Sequence, residues 1–149
     1  MSRRFVIYWL PLLFWMTVIF SASTSLGTPE HTSLFVVPFL LWINPRMSPE
    51  NIEFWHHIIR KTAHVTEYAI LGILIWRFVH SSPAMASQLP ARQFRLALIC
   101  AALYASTDET HQIFVPHRQP LVTDVLLDTC GAALGLALTW CVLRLRKSS

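Results

Sequence analysis

Charged residues are scarce in this chain. They make up 13% of its 149 residues, whereas hydrophobic residues make up 54%. A soluble domain of this length usually has about 25% charged residues. The sequence also has no glycine-rich phosphate loop, no internal repeat and no low-complexity segment, so a P-loop nucleotide site and a repeat architecture are excluded. The composition favours a membrane protein, and the length suits a single domain over residues 1–149.

Cysteine is scarce too, and its positions exclude two common roles. Cys100, Cys130 and Cys141 all lie inside apolar runs, where a thiol packs as a small hydrophobic group. They form neither a disulfide framework nor a zinc-binding spacing. The net charge of +4 does not indicate a nucleic-acid partner, because the basic residues flank apolar runs and do not line one hydrophilic face.

Long apolar runs are what the chain does have. A helix needs about 20 residues to cross the hydrocarbon core of a bilayer. Runs of suitable length cover residues 5–22, 58–79, 94–115 and 121–145. A fifth run, Leu34–Ile43, has about half the length that a crossing needs, so we interpret it as an interfacial or re-entrant helix, with a buried loop helix as the alternative. The sequence therefore predicts an all-α membrane protein with four transmembrane helices plus this short helix.

Basic residues predict the orientation of these helices. In the four-helix arrangement, eight of the twelve basic residues lie on one side: Arg3, Arg4, Arg77, Arg92, Arg95, Arg144, Arg146 and Lys147. Cytoplasmic loops carry the excess of lysine and arginine. We therefore predict a multi-pass protein of the bacterial cytoplasmic membrane, with both termini cytoplasmic and the segment from Ser23 to Glu53 outside.

The first apolar run has a second interpretation. Arg3 and Arg4, an apolar core and then Ser21-Ala22-Ser23 resemble a cleavable signal peptide. Cleavage would leave three spans, but it would not move the polar residues of the other runs to the opposite side of the membrane.

Polar residues cluster at the outer end of three of the runs. At about 100° per residue, Lys61, His64 and Tyr68 fall within an arc of roughly 60° on one helix. Two further stripes follow helical spacing, and their members are Tyr104, Asp108, His111 and Gln112, then Asp124, Asp128, Gly131 and Gly135. Ionisable groups at membrane depth are costly and mark a functional site by default. We therefore expect the three stripes to face one another and not the lipid.

Some residues of these stripes also have a simpler explanation that needs no ligand. Lys61 could extend its amine to the interface, and Tyr68 and Tyr104 could belong to the interfacial aromatic belt. Gly131 and Gly135 have the GxxxG spacing, which predicts close helix packing. A carboxylate as deep as Asp128 must be protonated or paired. We predict that Arg118 pairs with one of the acids Asp108, Glu109, Asp124 or Asp128, with Lys61 and His64 as alternative partners of Asp128.

The segments KTAHVTEY (61–68) and DETHQIFVPHR (108–118), followed by Asp124 and Gly131, resemble the VanZ-like family. These are small membrane proteins named for a teicoplanin-resistance factor. The chain departs from the family pattern at His117, where glycine is usual, and at Asp128, where asparagine is common. The matching positions are Lys61, His64, Tyr68, Asp108, Glu109, Gln112, Pro116, Arg118, Asp124 and Gly131.

The resemblance and the residue chemistry together leave three function classes. The favoured class is a cell-envelope accessory or binding protein with an extracytoplasmic polar site. Its partners would be membrane lipid and a lipid-linked cell-wall precursor or a glycopeptide, because the resemblance implies a link to lowered glycopeptide susceptibility. We predict no metal and no cofactor. The predicted ligand-binding residues are Lys61, His64, Tyr68, Asp108, Glu109, Gln112, Arg118, Asp124 and Asp128.

The other two classes use the same polar residues differently. A membrane-embedded enzyme acting on a lipid-linked intermediate could use acids and imidazoles as a general acid/base pair or a metal site; the candidates are His64, Asp108, Glu109, His111 and His117. The spacing of these residues matches no metal-ligand motif. This counts against the enzyme class, and we favour binding over it. Alternatively, the cluster could only specify helix packing, without a ligand.

Overall fold

The computed structural model describes residues 3–24, 27–115 and 121–148, and the secondary structure of these residues is entirely helical. This confirms the all-α prediction. A π-helical turn, Phe5–Trp9, leads directly into the first α-helix. The helices are α1 (Leu10–Ala22), α2 (Pro29–Ile43), α3 (Pro49–Ser81), α4 (Pro83–Ala86), α5 (Pro90–Gln112) and α6 (Val122–Ser148).

Proline marks the first turn of four of these helices. Proline occupies the first turn of α2, α3, α4 and α5, a position where its missing N–H costs nothing. Ser48 caps α3 by accepting a hydrogen bond from the Asn51 backbone N–H at 3.4 Å, which satisfies one of the unpaired donors of the first turn.

Helix lengths differ from the predicted spans. The apolar run at 58–79 is only the inner part of α3, which has 33 residues and is about 50 Å long. Helix α3 is therefore longer than a bilayer core of about 30 Å. The third run also needs correction, because α5 ends at Gln112 and not at residue 115. Gln112 is followed by turns through Val115.

Within the described part of the chain, two helices are long and apolar enough to cross a membrane by length and composition, Phe5–Ala22 and Val122–Arg146. Helices α3 and α5 are long enough but are not apolar enough, because polar residues such as Lys61, His64 and Asp108 interrupt them. The two apolar helices agree with a membrane protein, and the count of four spans stays a prediction.

The short apolar run lies within α2, which has 15 residues and contains Pro38. The only buried residue of α2 is Leu40, whereas Leu34 and Trp42 are 69% and 80% exposed. This exposure excludes the alternative of a buried loop helix. Helix α2 rests against α3 and presents an apolar face outward, as an interfacial helix does.

The core of the fold is the packing of α3, α5 and α6 against one another, with α1 against α3. Helix α5 contributes a stripe of fully buried small residues, Ala97, Ala101 and Ala105, at the four-residue spacing of one helix face. Small residues at such interfaces let helix backbones approach closely.

Glycines bring α3 and α6 closest together. A Cβ atom built on Gly131 would lie 2.5 Å from the Val65 carbonyl oxygen, and one built on Gly135 would collide with the Ala69 backbone. Since both contacts advance along α3 and α6 in the same direction, the two helices run parallel. The polar residues that precede these glycines on α6 therefore lie beside the polar turns of α3.

Candidate functional site

Two pairs of side chains connect the middle of α3 to the first two turns of α6. Lys61 Nζ lies 2.5 Å from Asp124 Oδ1, and both side chains are about three-quarters buried, with 29% and 24% exposure. One turn further along, His64 Nδ1 lies 3.6 Å from Asp128 Oδ1. The second pair is deeper than the first, because Asp128 is 2% exposed. The parallel packing of the helices thus produces a short ladder of one Lys–Asp pair and one His–Asp pair.

The third polar stripe meets this ladder from α5. Asp108 Oδ2 accepts a hydrogen bond of 2.5 Å from the Ser23 hydroxyl and a longer one of 3.4 Å from the Gln112 side-chain amide. Ser23, Asp108 and Gln112 are all buried. Ser23 follows the last residue of α1, so this group joins α1 to α5 at the outer end of the bundle.

Glu109 closes the same end of the bundle. Its Oε1 accepts a hydrogen bond of 2.6 Å from the Leu121 backbone N–H, directly before α6 begins at Val122. A carboxylate is stabilised at a helix N-terminus because it compensates the unpaired N–H groups and the positive end of the helix dipole. Glu109 therefore positions the start of α6 against the end of α5.

Two tyrosines lie at the inner side of the cluster, with ring centroids 6.4 Å apart. Tyr104 donates a hydrogen bond of 2.7 Å to the Met16 carbonyl oxygen. Tyr68 is completely buried, and its hydroxyl has no hydrogen-bond partner among the described residues. The proposed role of either tyrosine in an interfacial aromatic belt does not fit this geometry, because both side chains point into the bundle.

The site contains further polar atoms that the surrounding protein does not satisfy. Asp108 Oδ1 and Asp128 Oδ1 are buried and, like the Tyr68 hydroxyl, lack a hydrogen bond within the part of the chain that the structure describes. Buried polar groups in native proteins are nearly always hydrogen-bonded. Among the described residues, Asp108 Oδ1 and the Tyr68 hydroxyl therefore keep hydrogen-bonding capacity for a ligand or for water, and Asp128 Oδ1 has only the 3.6 Å contact with His64.

The site does not include every residue of the predicted stripes. His111 packs its ring against Phe20, with centroids 4.5 Å apart, and so faces α1. In the described residues no group of three or more His, Cys, Asp or Glu side chains has an arrangement that could hold a metal ion. Pro116, His117 and Arg118 lie outside the described residues, so the predicted pairing of Arg118 stays a prediction.

Sequence reasoning missed the contribution of α1 to the site. Besides Ser23, this helix provides the Met16 carbonyl oxygen to Tyr104, and Trp15 donates its indole N–H to the Glu67 carbonyl oxygen at 2.9 Å. The available signal was the cluster of hydroxyl residues at the end of an apolar run, which we interpreted only as a cleavage site. Cleavage after this run would remove a helix that packs against the site.

An outer extension of the site lies between α2 and α3. His56 Nε2 lies 2.9 Å from the Thr32 hydroxyl, and the Arg60 guanidinium donates to the Gly27 carbonyl oxygen at 3.5 Å. Burial lowers the pKa of His56 from its ordinary value, and the positive charge of Arg60 lowers it further.

The lowered pKa of His56 predicts acid sensitivity of the contact between α2 and α3. Above the ordinary pKa near 6.5, His56 is neutral in both states and pH has no effect through it. As the pH falls below that value, the undocked state binds the proton first, so docking of α2 weakens. We expect the protection of α2 against hydrogen exchange, corrected for the intrinsic pH dependence of amide exchange, to be lower at pH 5.5 than at pH 7.5. His56→Gln should remove the difference, whereas the exposed neighbour variant His57→Gln should keep it; an equal effect of both variants would contradict the assignment.

The comparison with known proteins identifies one family. The sequence model described as VanZ/LLP1 matches residues 5–144, which is nearly the whole chain. No curated protein and no solved structure matches the sequence.

Proposed function

Because the chain belongs to the VanZ/LLP1 family, we propose that it is an integral membrane protein of the cell envelope. Its polar site at the outer ends of α3, α5 and α6 binds a lipid-linked cell-wall precursor. The observation that carries the proposal is the group of buried polar atoms on Tyr68, Asp108 and Asp128 that have no hydrogen bond among the described residues. A purely structural network is favoured only when every buried member is satisfied.

The outward faces of the helices support the membrane location. On α6, Leu134, Leu138 and Leu145 are 56%, 65% and 69% exposed and follow the spacing of one helix face. Phe14 of α1 is 65% exposed as well. Contiguous apolar surface of this kind is disfavoured in water and suits hydrocarbon.

The distribution of basic residues supports an orientation with both termini in the cytoplasm. We predict four spans, formed by the apolar helix before Ser23, the inner part of α3, α5 and α6. A fluorescent reporter fused after Ser149 should then be bright, whereas alkaline phosphatase fused at the same position should be inactive. Alkaline phosphatase inserted in the loop after Ile43 should be active. The reverse pattern would contradict the orientation.

The charges of the site match a ligand with an anionic group beside hydroxyls or an amine. Lys61 and His64 are the cationic donors, and Asp124 holds Lys61 at the mouth of the site. The buried acceptors on Asp108 and Asp128 lie deeper. Lysine binds phosphate as a compact point charge, and carboxylates accept hydrogen bonds from hydroxyls and ammonium groups.

A cavity that Glu109 helps to line suits the lipid part of such a ligand. It has a volume of about 420 Å³, lies between α5 and α6 and is lined by Glu109, Ile113, Leu121 and Val125 among others. Ligand pockets usually have volumes of 300–1,000 Å³. An apolar lining that ends at a carboxylate is the surface that an amphipathic molecule requires.

Binding measured in nanodiscs tests the proposal. The probe is a polyprenyl pyrophosphate that carries a disaccharide pentapeptide, and the competitor is polyprenyl monophosphate. We expect Lys61→Met to weaken probe binding by about tenfold, since a hydrogen bond to a charged group contributes 1.5–3 kcal/mol. The matched control is Arg77→Gln, which removes an exposed cation at the other end of α3 and should leave binding unchanged. Failure of the unaltered protein to bind the probe would overturn the proposal.

The glycopeptide link is the second part of the proposal and needs its own test. Expression of the chain in a susceptible Gram-positive host should raise the minimum inhibitory concentration of teicoplanin, and Lys61→Met should abolish the increase. If the protein binds the probe but the host's susceptibility to teicoplanin does not change, the resistance part of the proposal fails and the binding part stands.

A membrane-embedded enzyme is the alternative that one observation favours. The His64–Asp128 pair, at 3.6 Å, has the composition of a general base with its orienting carboxylate. Release of sugar or phosphate from the same probe, lost in His64→Asn, would establish this alternative in place of simple binding.

A further inference from the structure

A second cavity lies between α5 and α6 at the end of the bundle opposite to the polar site. We call it the inner groove. Its volume is about 500 Å³, and its lining includes Phe94, Arg95, Leu98, Ala133, Ala137 and Trp140. None of these residues belongs to the polar site.

Small residues of α6 and two large rings, Phe94 of α5 and Trp140 of α6, shape the inner groove. Ala133 and Ala137 lie one turn apart on α6, so this face of the helix is shallow. Phe94 and Trp140 close one end, with ring centroids 5.6 Å apart in an edge-to-face contact. The inner groove is therefore a shallow depression between α5 and α6 that is bounded at one end by the Phe94 and Trp140 rings.

The length of the inner groove matches one leaflet. Its lining on α6 extends from Ala133 to Cys141, which corresponds to about 12 Å along the helix axis. Half of the hydrocarbon core of a bilayer is about 15 Å thick. A chain lying in the groove would therefore run from near the middle of the membrane to its surface.

Two arginines stand at the surface end of the groove. Arg95 is part of the lining, and the Arg144 guanidinium carbon lies 4.8 Å from the centre of the Trp140 ring. Neither arginine pairs with a carboxylate in the described part of the chain. Guanidinium groups bind phosphate with two parallel hydrogen bonds, and Trp140 holds one of them over the apolar groove.

We propose that the inner groove binds one acyl chain of an anionic phospholipid, with the lipid phosphate at Arg95 and Arg144. The proposal rests on the membrane location proposed above, but it does not depend on the ligand of the polar site. The charges argue against a second copy of this chain as the occupant. Two copies inserted in the same orientation would bring their basic ends together at the same depth, and like charges would repel.

Trp140 provides a local reporter for the test. The unaltered protein and Trp140→Phe are reconstituted in phosphatidylcholine bilayers that contain a small fraction of phospholipid brominated on its acyl chains. Bromine quenches nearby tryptophan fluorescence, and the difference between the two proteins isolates Trp140. We expect brominated phosphatidylglycerol to quench Trp140 far more than brominated phosphatidylcholine does, with a preference of about fivefold for each arginine.

Charge-neutralised variants distinguish a site from general surface charge. Arg95→Gln together with Arg144→Gln should abolish the preference for phosphatidylglycerol. Arg77→Gln, which removes an exposed cation outside the groove, should preserve it. Equal quenching by both lipids, or an equal loss of preference in Arg77→Gln, would overturn the proposed site. If neither brominated lipid quenches Trp140, the membrane location is overturned, and the proposed lipid site fails with it. This outcome does not depend on whether the polar site binds the pyrophosphate probe.

Discussion

Gly131→Leu should largely eliminate folded protein. A Cβ atom at this position would lie 2.5 Å from the Val65 carbonyl oxygen and 3.0 Å from the Val65 Cα. These are backbone atoms, so a change of side-chain rotamer cannot relieve the contact. Overpacking costs 1–3 kcal/mol when side chains can move, and here we expect at least about 3 kcal/mol because two helices must separate. Such a loss is a large fraction of the stability of a typical domain.

The control for Gly131→Leu is a substitution at the adjacent position of α6. Cys130 is exposed, so Cys130→Leu adds volume toward lipid and should leave the protein folded. The measurement is the yield of monodisperse protein after size-exclusion chromatography in detergent, together with Tm. A Gly131→Leu protein as abundant and as stable as Cys130→Leu would show that α3 and α6 do not need this close approach.

Asp108→Ala should abolish probe binding while the protein still inserts and folds. The substitution removes the free Oδ1 acceptor and leaves the Ser23 hydroxyl without its acceptor. Loss of that hydrogen bond costs about 1–3 kcal/mol, which lowers Tm without eliminating the fold. From the sequence alone we expect the same outcome for Arg118→Ala.

The isosteric variant Asp108→Asn separates charge from geometry. Its amide oxygen can still accept from Ser23, so Tm should be close to that of the unaltered protein. Loss of binding in Asp108→Asn as well as in Asp108→Ala would assign the effect to the carboxylate itself, through its charge and its Oδ1 acceptor, and not to the lost contact with Ser23. If Asp108→Ala and Gly131→Leu lose folded protein to the same extent, the polar cluster is structural and the binding proposal fails.

Helical periodicity was sufficient to predict most of the cluster. Lys61 and His64 share one face of α3, and Asp124 and Asp128 share one face of α6, so the stripes could be recognised before the partners were known. The partners were not predictable in the same way. The sequence favoured Arg118, which lies outside the described residues, and left Lys61 and His64 as alternative partners of Asp128. The structure places His64 at 3.6 Å from this carboxylate and Lys61 beside Asp124.

The sequence by itself determined the helical fold, the family and the residues of the polar stripes, because hydrophobic periodicity and motif spacing are local properties of the chain. Only the tertiary structure decided which stripes meet and which of their buried polar atoms have no hydrogen bond among the described residues. Ser23 joins Asp108 across 85 positions of the chain, and no local pattern encodes that contact. The pairing depends on the parallel approach of α3 and α6, which Gly131 and Gly135 permit because neither has a side chain to hold the backbones apart.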